Sequence, residues 1–444
     1  MTGAGVTDRV RGATASRFAR QLALVAVAGF GFRLWAVDRW YRQLPLGFSD
    51  NFYYSEQAGL LADGRGYIDP FVLEYSGGVE PSAAHPPLYS TYLAVWSLLG
   101  LGTPTWHRIA SCVLGAGTIV VVGLIGRRLA GRRAGVLAAL AAAVFPPLWI
   151  ADGTLVAESP YALIIGIVVL AGLRLARHRD LPSAALLGAT IGLAALTRSE
   201  GLALVGLAGL PLVVVIAGVS VRRRILVFAT VAAVALAVIA PWSIRNFATF
   251  EEPVPLAYGA GEVLKIGNCD RTYDGEFLGY WHISCAYQGS WEPDRSVAEL
   301  RARRQAIDYI EDNLDRVPVV VAARVGRLWH LYRPAQGIDF DDFFERRGRV
   351  PSTAQLWLFY AGAPFALAGA WALRRHRPAV VLLGSLVASA TISAAFAFGI
   401  TRYRIAGDVA FVILAGVGID HVLRRRTRAR SGDGPSTEAV SASA

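Results

Sequence analysis

Two carboxylates and four arginines stand near the ends of long apolar runs, where an ionisable group is costly unless it is paired or faces a polar cavity. Asp50 lies in Gly47-Phe48-Ser49-Asp50-Asn51-Phe52-Tyr53-Tyr54 and Glu158 in Leu155-Val156-Ala157-Glu158-Ser159-Pro160-Tyr161. Arg198 belongs to Leu196-Thr197-Arg198-Ser199-Glu200-Gly201, Arg245 to Pro241-Trp242-Ser243-Ile244-Arg245-Asn246, and Arg402 and Arg404 to Thr401-Arg402-Tyr403-Arg404. His85-Pro86-Pro87-Leu88-Tyr89 and Ile266-Gly267-Asn268 add an imidazole, a phenol and an amide. Each has a plain structural explanation. Asp50 can cap a helix, Glu158 can sit as an anion at a helix start, and His85 can be a satisfied surface histidine. Arg198 and Glu200 can form a local ion pair, and arginines at span ends reach for headgroup phosphates. Taken together they suit a lipid phosphate held by planar guanidinium forks and a hydroxyl deprotonated by a carboxylate.

These positions can meet only if the apolar runs between them cross a membrane. Of 444 residues, 54% are hydrophobic and 17% charged, where soluble chains carry about 25% charge, which excludes a soluble enzyme. Apolar runs at 21–37, 105–125, 134–150, 161–175, 182–196, 202–219, 225–241, 354–373, 379–400 and 405–422 approach the ~20 residues that span a hydrocarbon core. The fold class is therefore an all-α polytopic membrane protein with about ten transmembrane helices.

The connections alternate between arginine clusters (Arg127, Arg128, Arg132 and Arg133; Arg174, Arg177 and Arg179; Arg222, Arg223 and Arg224; Arg374, Arg375 and Arg377) and segments where arginine is mixed with acids. Placing both termini in the cytoplasm puts every such cluster inside, as the positive-inside rule requires. The net charge of +11 then records orientation in the plasma membrane and not a nucleic-acid partner. The chain divides into a cytoplasmic segment (1–20), a transmembrane domain (21–423) and a cytoplasmic tail (424–444) that turns to Ser, Gly and Ala and reads as disordered. Two extracytoplasmic segments, 38–104 and 242–351, are far longer than ordinary connections. The stretches 87–101 and 317–332 read as helices lying in the membrane interface. Between the long segment's ends, 295–317 reads as an amphipathic helix with Val297, Leu300, Ile307, Ile310 and Leu314 on its apolar side. The first span follows basic residues without a small-residue cleavage site, so it reads as a retained helix.

Cys112 falls within a span, whereas Cys269 and Cys285 share the second extracytoplasmic segment, where a disulfide between them persists if it forms; two unpaired thiols are the alternative. No Cys/His spacing resembles a zinc site, and no phosphate-binding Gly-rich loop sits between a strand and a helix. No internal repeat of the kind that marks secondary transporters is present.

At the motifs quoted above the chain resembles the GT-C glycosyltransferases, in the branch of the protein O-mannosyltransferases and the lipid A aminoarabinose transferase. The shared order covers roughly residues 20–423. The resemblance implies a GT-C-like transmembrane domain and transfer of a sugar from a polyprenyl-phosphate donor to a glycan, lipid or protein hydroxyl on the extracytoplasmic face. By the same resemblance Asp50 is the catalytic base and Glu158 a second catalytic acidic position. His85 stands where some relatives have Lys, and Arg198, Arg245 and Arg404 hold the donor phosphate. Tyr89, Glu200, Asn268 and Arg402, within the same motifs, complete the expected substrate-binding set. Family members often carry a second acidic residue directly after the loop aspartate, where this chain has Asn51. No cofactor is therefore assigned, and a divalent cation is left open.

Physical chemistry points the same way. A lipid-linked sugar solves the supply of activated donor outside the cytoplasm, and its phosphate is already a good leaving group, so positioning and charge stabilisation carry much of the barrier. One carboxylate at the acceptor hydroxyl suffices for a single inverting displacement, whereas retention needs a second carboxylate opposite. The alternative reading, a transporter or flippase for lipid-linked sugars, calls for broken helices or charges deep in the membrane; among the spans only Arg33, near an end, qualifies.

Overall fold

The computed structural model describes residues 3–47, 49–286, 292 and 294–430. The chain opens with α1 (Gly3–Ala36), which widens into a π-helical turn at Val37–Tyr41. The first connecting segment then folds as α2 (Asp50–Ala62), α3 (Pro70–Ser76) and α4 (Leu88–Leu98). A run of apolar helices follows: α5 (Pro104–Ala130), α6 (Arg132–Val144), α7 (Pro146–Thr154), α8 (Glu158–His178), α9 (Leu181–Ala195), α10 (Leu210–Val215) and α11 (Val221–Thr249). The second connecting segment carries α12 (Ala260–Gly267), α13 (Asp270–Tyr273), α14 (Arg295–Asp312), α15 (Val317–Leu328) and α16 (Pro334–Phe343). The bundle closes with α17 (Arg349–Leu373), α18 (Arg377–Phe396) and α19 (Ile405–Arg430). Among the described residues the only extended pairing is a single bridge between Ile68 and Pro81.

All ten apolar runs are helical, but they are not equal. Seven helices are long and apolar enough to cross a membrane, or eight if α6 and α7, bent by 44°, count as one span. The bend has a local cause. Pro146 and Pro147 cannot continue the helical hydrogen bonds, and Phe145 before them takes extended angles. The other two runs, Leu181–Ala195 and Ser199–Val215, are shorter. The second of these is irregular, passing from a 3-10 turn at Ser199–Ala203 through a π turn at Val205–Gly209 into α10.

Helix starts follow sequence chemistry. Thr103 and Asp180 accept backbone hydrogen bonds from Trp106 and Ser183, each with a proline in the first turn, so α5 and α9 begin where the polar connections end. In the core, α19 packs on α17, α6 and α18. Gly369 and Gly418 let the backbones of α17 and α19 touch: a Cβ at either would strike the opposite chain at Leu414 or Phe365. Ile119, Leu187, Val231, Val409 and Ile413 are fully buried in the same cluster.

Two expectations change. Helix α14 buries Ser296, Glu299, Ala302 and Ala306, whereas Ile307 is 41% and Leu314 64% exposed. Small residues win that face because α12 comes close there, and the Glu299 carboxylate accepts from the backbone N–H groups of Gly259, Gly261 and Glu262 at the start of α12. Residues 424–430, assigned to a disordered tail, are instead the last turns of α19, favoured by a run of arginine. The rest of that tail, 431–444, lies outside the described residues.

Candidate active site

The site forms where the first connecting segment, the α7–α8 turn, the start of α19 and the end of the second connecting segment meet. Asp50 is the first residue of α2, and the extended Ser49 before it makes no side-chain cap. An anion is favoured at that position by the helix dipole, and the carboxylate stays free to reach outward. Glu158 is likewise the first residue of α8; α7 ends at Leu155 in the left-handed region (φ 60°), and that reversal places Glu158 against Asp50's partner.

That partner is Arg402. Its Nη2 donates to Asp50 Oδ2 and its Nε to Glu158 Oε1, and its Nη1 lies 3.6 Å from Glu345 Oε2. Arg198 donates to the same Glu158 oxygen and to Glu200, with its guanidinium 5.3 Å from the Tyr403 ring centre. His85 Nε2 stands 3.4 Å from Asp50 Oδ1. The His85 ring is held edge to face by Tyr53 and tilted against Tyr54, each at 4.8 Å between centres. Tyr89, fully buried, packs behind Tyr54 and bonds Ser111 through its hydroxyl at 2.7 Å. Burial alone would raise the Asp50 carboxyl, but Arg402 and His85 hold it well below the usual carboxylate range. For Glu345 burial outweighs the attraction of Arg402, and its carboxyl is raised.

Asp50, Glu158, Glu345 and Arg402 line a cavity of about 400 Å³, whose wall also includes Arg346, Arg347, Thr401, Ile405 and Asp408. The Glu158 Oε2 atom is buried without a hydrogen-bond partner. Among the described residues no group of three or more His, Cys, Asp or Glu side chains is arranged to hold a metal ion. The Arg402 guanidinium already bridges the Asp50 and Glu158 carboxylates.

The structure does not bring all the expected residues here. Arg245 holds the first connecting segment against α11, donating to the carbonyls of Ser82 at 2.9 Å and Tyr67 at 3.1 Å and lying over Trp242. Arg404 is fully buried, paired with Asp408 at 2.7 Å and packed 4.4 Å from the centre of the Phe359 ring. Asn268 is also buried, accepting from Tyr273 and Arg324 and donating to Leu264. Thus Arg198, Arg245 and Arg404 do not converge. The physical reason is that a buried guanidinium takes the nearest carbonyls or carboxylate, and those lie on three different elements. Cys269 and Cys285 are bridged, with Cα atoms 6.2 Å apart.

Four contributors were missed. Asp408 could have been found, since Thr401, Ile405 and Asp408 recur at helical spacing beside Arg402 and line the same cavity wall. Glu345 and the Arg346-Arg347 pair carry no local signal inside their long connection.

The model of the dolichyl-phosphate-mannose-protein mannosyltransferase family matches residues 84–244, which include His85, Glu158 and Arg198. An archaeal oligosaccharyltransferase, AglB from Archaeoglobus fulgidus, solved with an inhibitory peptide and a dolichol-phosphate, superposes with a TM-score of 0.57 over 96% of this chain. The present chain has the GT-C fold. Identity in that comparison is 15%, and the alignment covers 53% of AglB, so the chain spans about half the length of that protein. The apo oligosaccharyltransferase of the same organism gives a TM-score of 0.54 at 16% identity, covering 93% of this chain and 52% of that one. ArnT from Cupriavidus metallidurans bound to undecaprenyl phosphate aligns over 94% of this chain and 80% of its own, at 17% identity and a TM-score of 0.42. No curated protein matches the chain in sequence.

Proposed function

We propose that this multi-pass membrane protein is a glycosyltransferase that moves a sugar from a polyprenyl-phosphate donor to an acceptor hydroxyl on the extracytoplasmic face. The observation that carries the reading is the Asp50–Arg402–Glu158 cluster on the wall of a cavity at the ends of membrane helices. The GT-C fold and the family match over 84–244 support it. A dolichol-phosphate is present in the AglB complex, which fits a lipid-phosphate donor here.

In the proposed reaction the acceptor oxygen attacks the anomeric carbon, the bond from that carbon to the phosphate oxygen breaks, and the polyprenyl phosphate leaves with the electron pair. Asp50 takes the hydroxyl proton. A carboxylate with a depressed pKa is a weak base, and that suits a reaction in which departure of the phosphate leads and the attacking hydroxyl grows acidic late. Asp50 and Glu158 share one guanidinium. With Asp50 as the single base one displacement suffices, and the reaction we propose inverts the anomeric centre.

A bent helix pair and a buried charge pair are features that a transporter would also show. Arg33 and Asp152 meet at 2.9 Å with no solvent exposure. Arg33 also donates to the carbonyls of Gly29, Ala142 and Ala143, and Asp152 accepts from Ser159. Neither residue lines the cavity, and the pair is satisfied within the bundle. It acts as a brace between α1, α6 and α7. Membranes carrying the protein should transfer radiolabelled sugar from a polyprenyl-phosphate donor to a non-lipid product. Label that crosses the bilayer while still attached to its lipid would establish the transporter instead.

A further inference from the structure

The cations around the cavity are not alike. Arg402 faces Asp50, Glu158 and Glu345, Arg198 is paired with Glu158 and Glu200, and Arg404 with Asp408. Each of these guanidiniums is already neutralised, and a phosphate entering beside Arg402 would meet the carboxylates of Asp50, Glu158 and Glu345, of which Arg198 shares only Glu158. Like charges in a poorly solvated site repel strongly. Arg346 differs, for it lines the cavity and, among the described residues, makes no ion pair; Arg347 beside it makes none either, although it lies near enough to Asp341, Glu345 and Asp408 to favour their ionised forms.

Arg347 is 5% exposed. Its two Nη atoms donate to Thr401 and Gln355, at 3.0 Å and 2.8 Å, while its buried Nε has no partner. Arg346 is exposed, and its one hydrogen bond reaches the Pro45 carbonyl at 3.4 Å, the weak end of the range. Its backbone sits in the left-handed region at φ 51°, a conformation that L side chains adopt at an energetic cost and that clusters at functional sites. The guanidinium packs over Gly47 in the loop that leads to Asp50, and a Cβ at Gly47 would come within 2.7 Å of Arg346 Nη1. A strained residue and a glycine together bring an uncompensated cation to the loop of the candidate base.

We infer that Arg346, backed by the free Nε of Arg347, receives the phosphate of the polyprenyl-phosphate donor, whereas Arg402 and Arg198 organise the carboxylates. This rests on the glycosyl-transfer reading and assigns the phosphate end of its donor. Arg fits the task because its fork can bond two phosphate oxygens at once.

The test is binding of undecaprenyl phosphate to the full-length protein in nanodiscs, measured against undecaprenol, which shares the chain and lacks the phosphate. Wild type should prefer the phosphate, Arg346→Gln should lose about 10-fold or more of that affinity, and Arg346→Lys should keep part of it. Gly47→Ala, which leaves every charge in place and crowds Arg346, should also weaken phosphate binding. Arg349→Gln, which breaks an exposed pair with Asp339, should leave binding unchanged. Unaltered phosphate preference in Arg346→Gln and Gly47→Ala would overturn the assignment while leaving the donor class standing. A wild-type protein that binds the two lipids equally would overturn the donor class, and the assignment with it.

Discussion

Arg402 is ion-paired with Asp50 across 352 residues of chain, joining the start of α19 to the start of α2. The pair keeps the carboxylate ionised and also restrains it. An acceptor hydroxyl must enter as a further partner of Asp50 before its proton can move, so Arg402 governs both the charge and the direction of the candidate base.

Replacing Arg402 by Gln should therefore change the pH profile as well as the rate. Asp50 is held below its ordinary range, so wild-type transfer should persist down to pH values below that of a free aspartate, about 4, and fall only as pH drops through the lowered value. The same sign holds for stability: the Asp50 contribution is present above about pH 4 and is lost as pH falls through the folded-state value. In Arg402→Gln the acid limb should move to higher pH, with transfer at neutral pH reduced about 10-fold or more. An acid limb that stays in place would mean that the titrating group is not Asp50.

The Arg33–Asp152 brace leads to a stability prediction. Asp152→Ala leaves a buried guanidinium without its counter-ion and should destabilise the protein by about 3 kcal/mol or more, whereas Arg33→Met with Asp152→Leu should lose much less. Thermal unfolding of the purified protein in one detergent, run as a double-mutant cycle, measures the coupling. Gly115→Ala should be as harmful as Asp152→Ala, because a Cβ there would collide with both charged side chains.

The disulfide can be read directly. Cys269 and Cys285 close a loop over 16 positions, and losing that closure should remove on the order of 3 kcal/mol from the second connecting segment. Non-reducing peptide mapping should recover the linked pair from native membranes, and Cys285→Ser should lower the melting temperature in non-reducing buffer only. Free thiols at both positions in native membranes would reject the bridge.

Much of this architecture was legible because it is written locally. Arginine clusters beside apolar runs mark span ends, whereas the bend at Pro146-Pro147 was read through as one run, 134–150. Asp50, His85, Glu158, Arg198 and Arg402 stood out because charge at a span end needs a reason. What the sequence hides is which charges neutralise each other. Arg404, two residues from Arg402, turns the opposite way onto Asp408 and Phe359, and no local pattern says so. Asp152 looks like an ordinary helix end until its partner Arg33, 119 residues away, is seen. Glu345 and Arg346 reach the cavity only because the second connecting segment folds back over Gly47.

The most direct measurement is sugar transfer by Asp50→Asn in nanodiscs, with a polyprenyl-phosphate sugar as donor and undecaprenyl phosphate binding followed on the same preparation. The amide keeps the shape and can still accept a hydrogen bond from Arg402, but it cannot take a proton at neutral pH. We expect transfer to fall roughly 10²-fold or more with lipid-phosphate binding largely kept. Near-normal turnover by Asp50→Asn would contradict the assignment of the base and move it to Glu158.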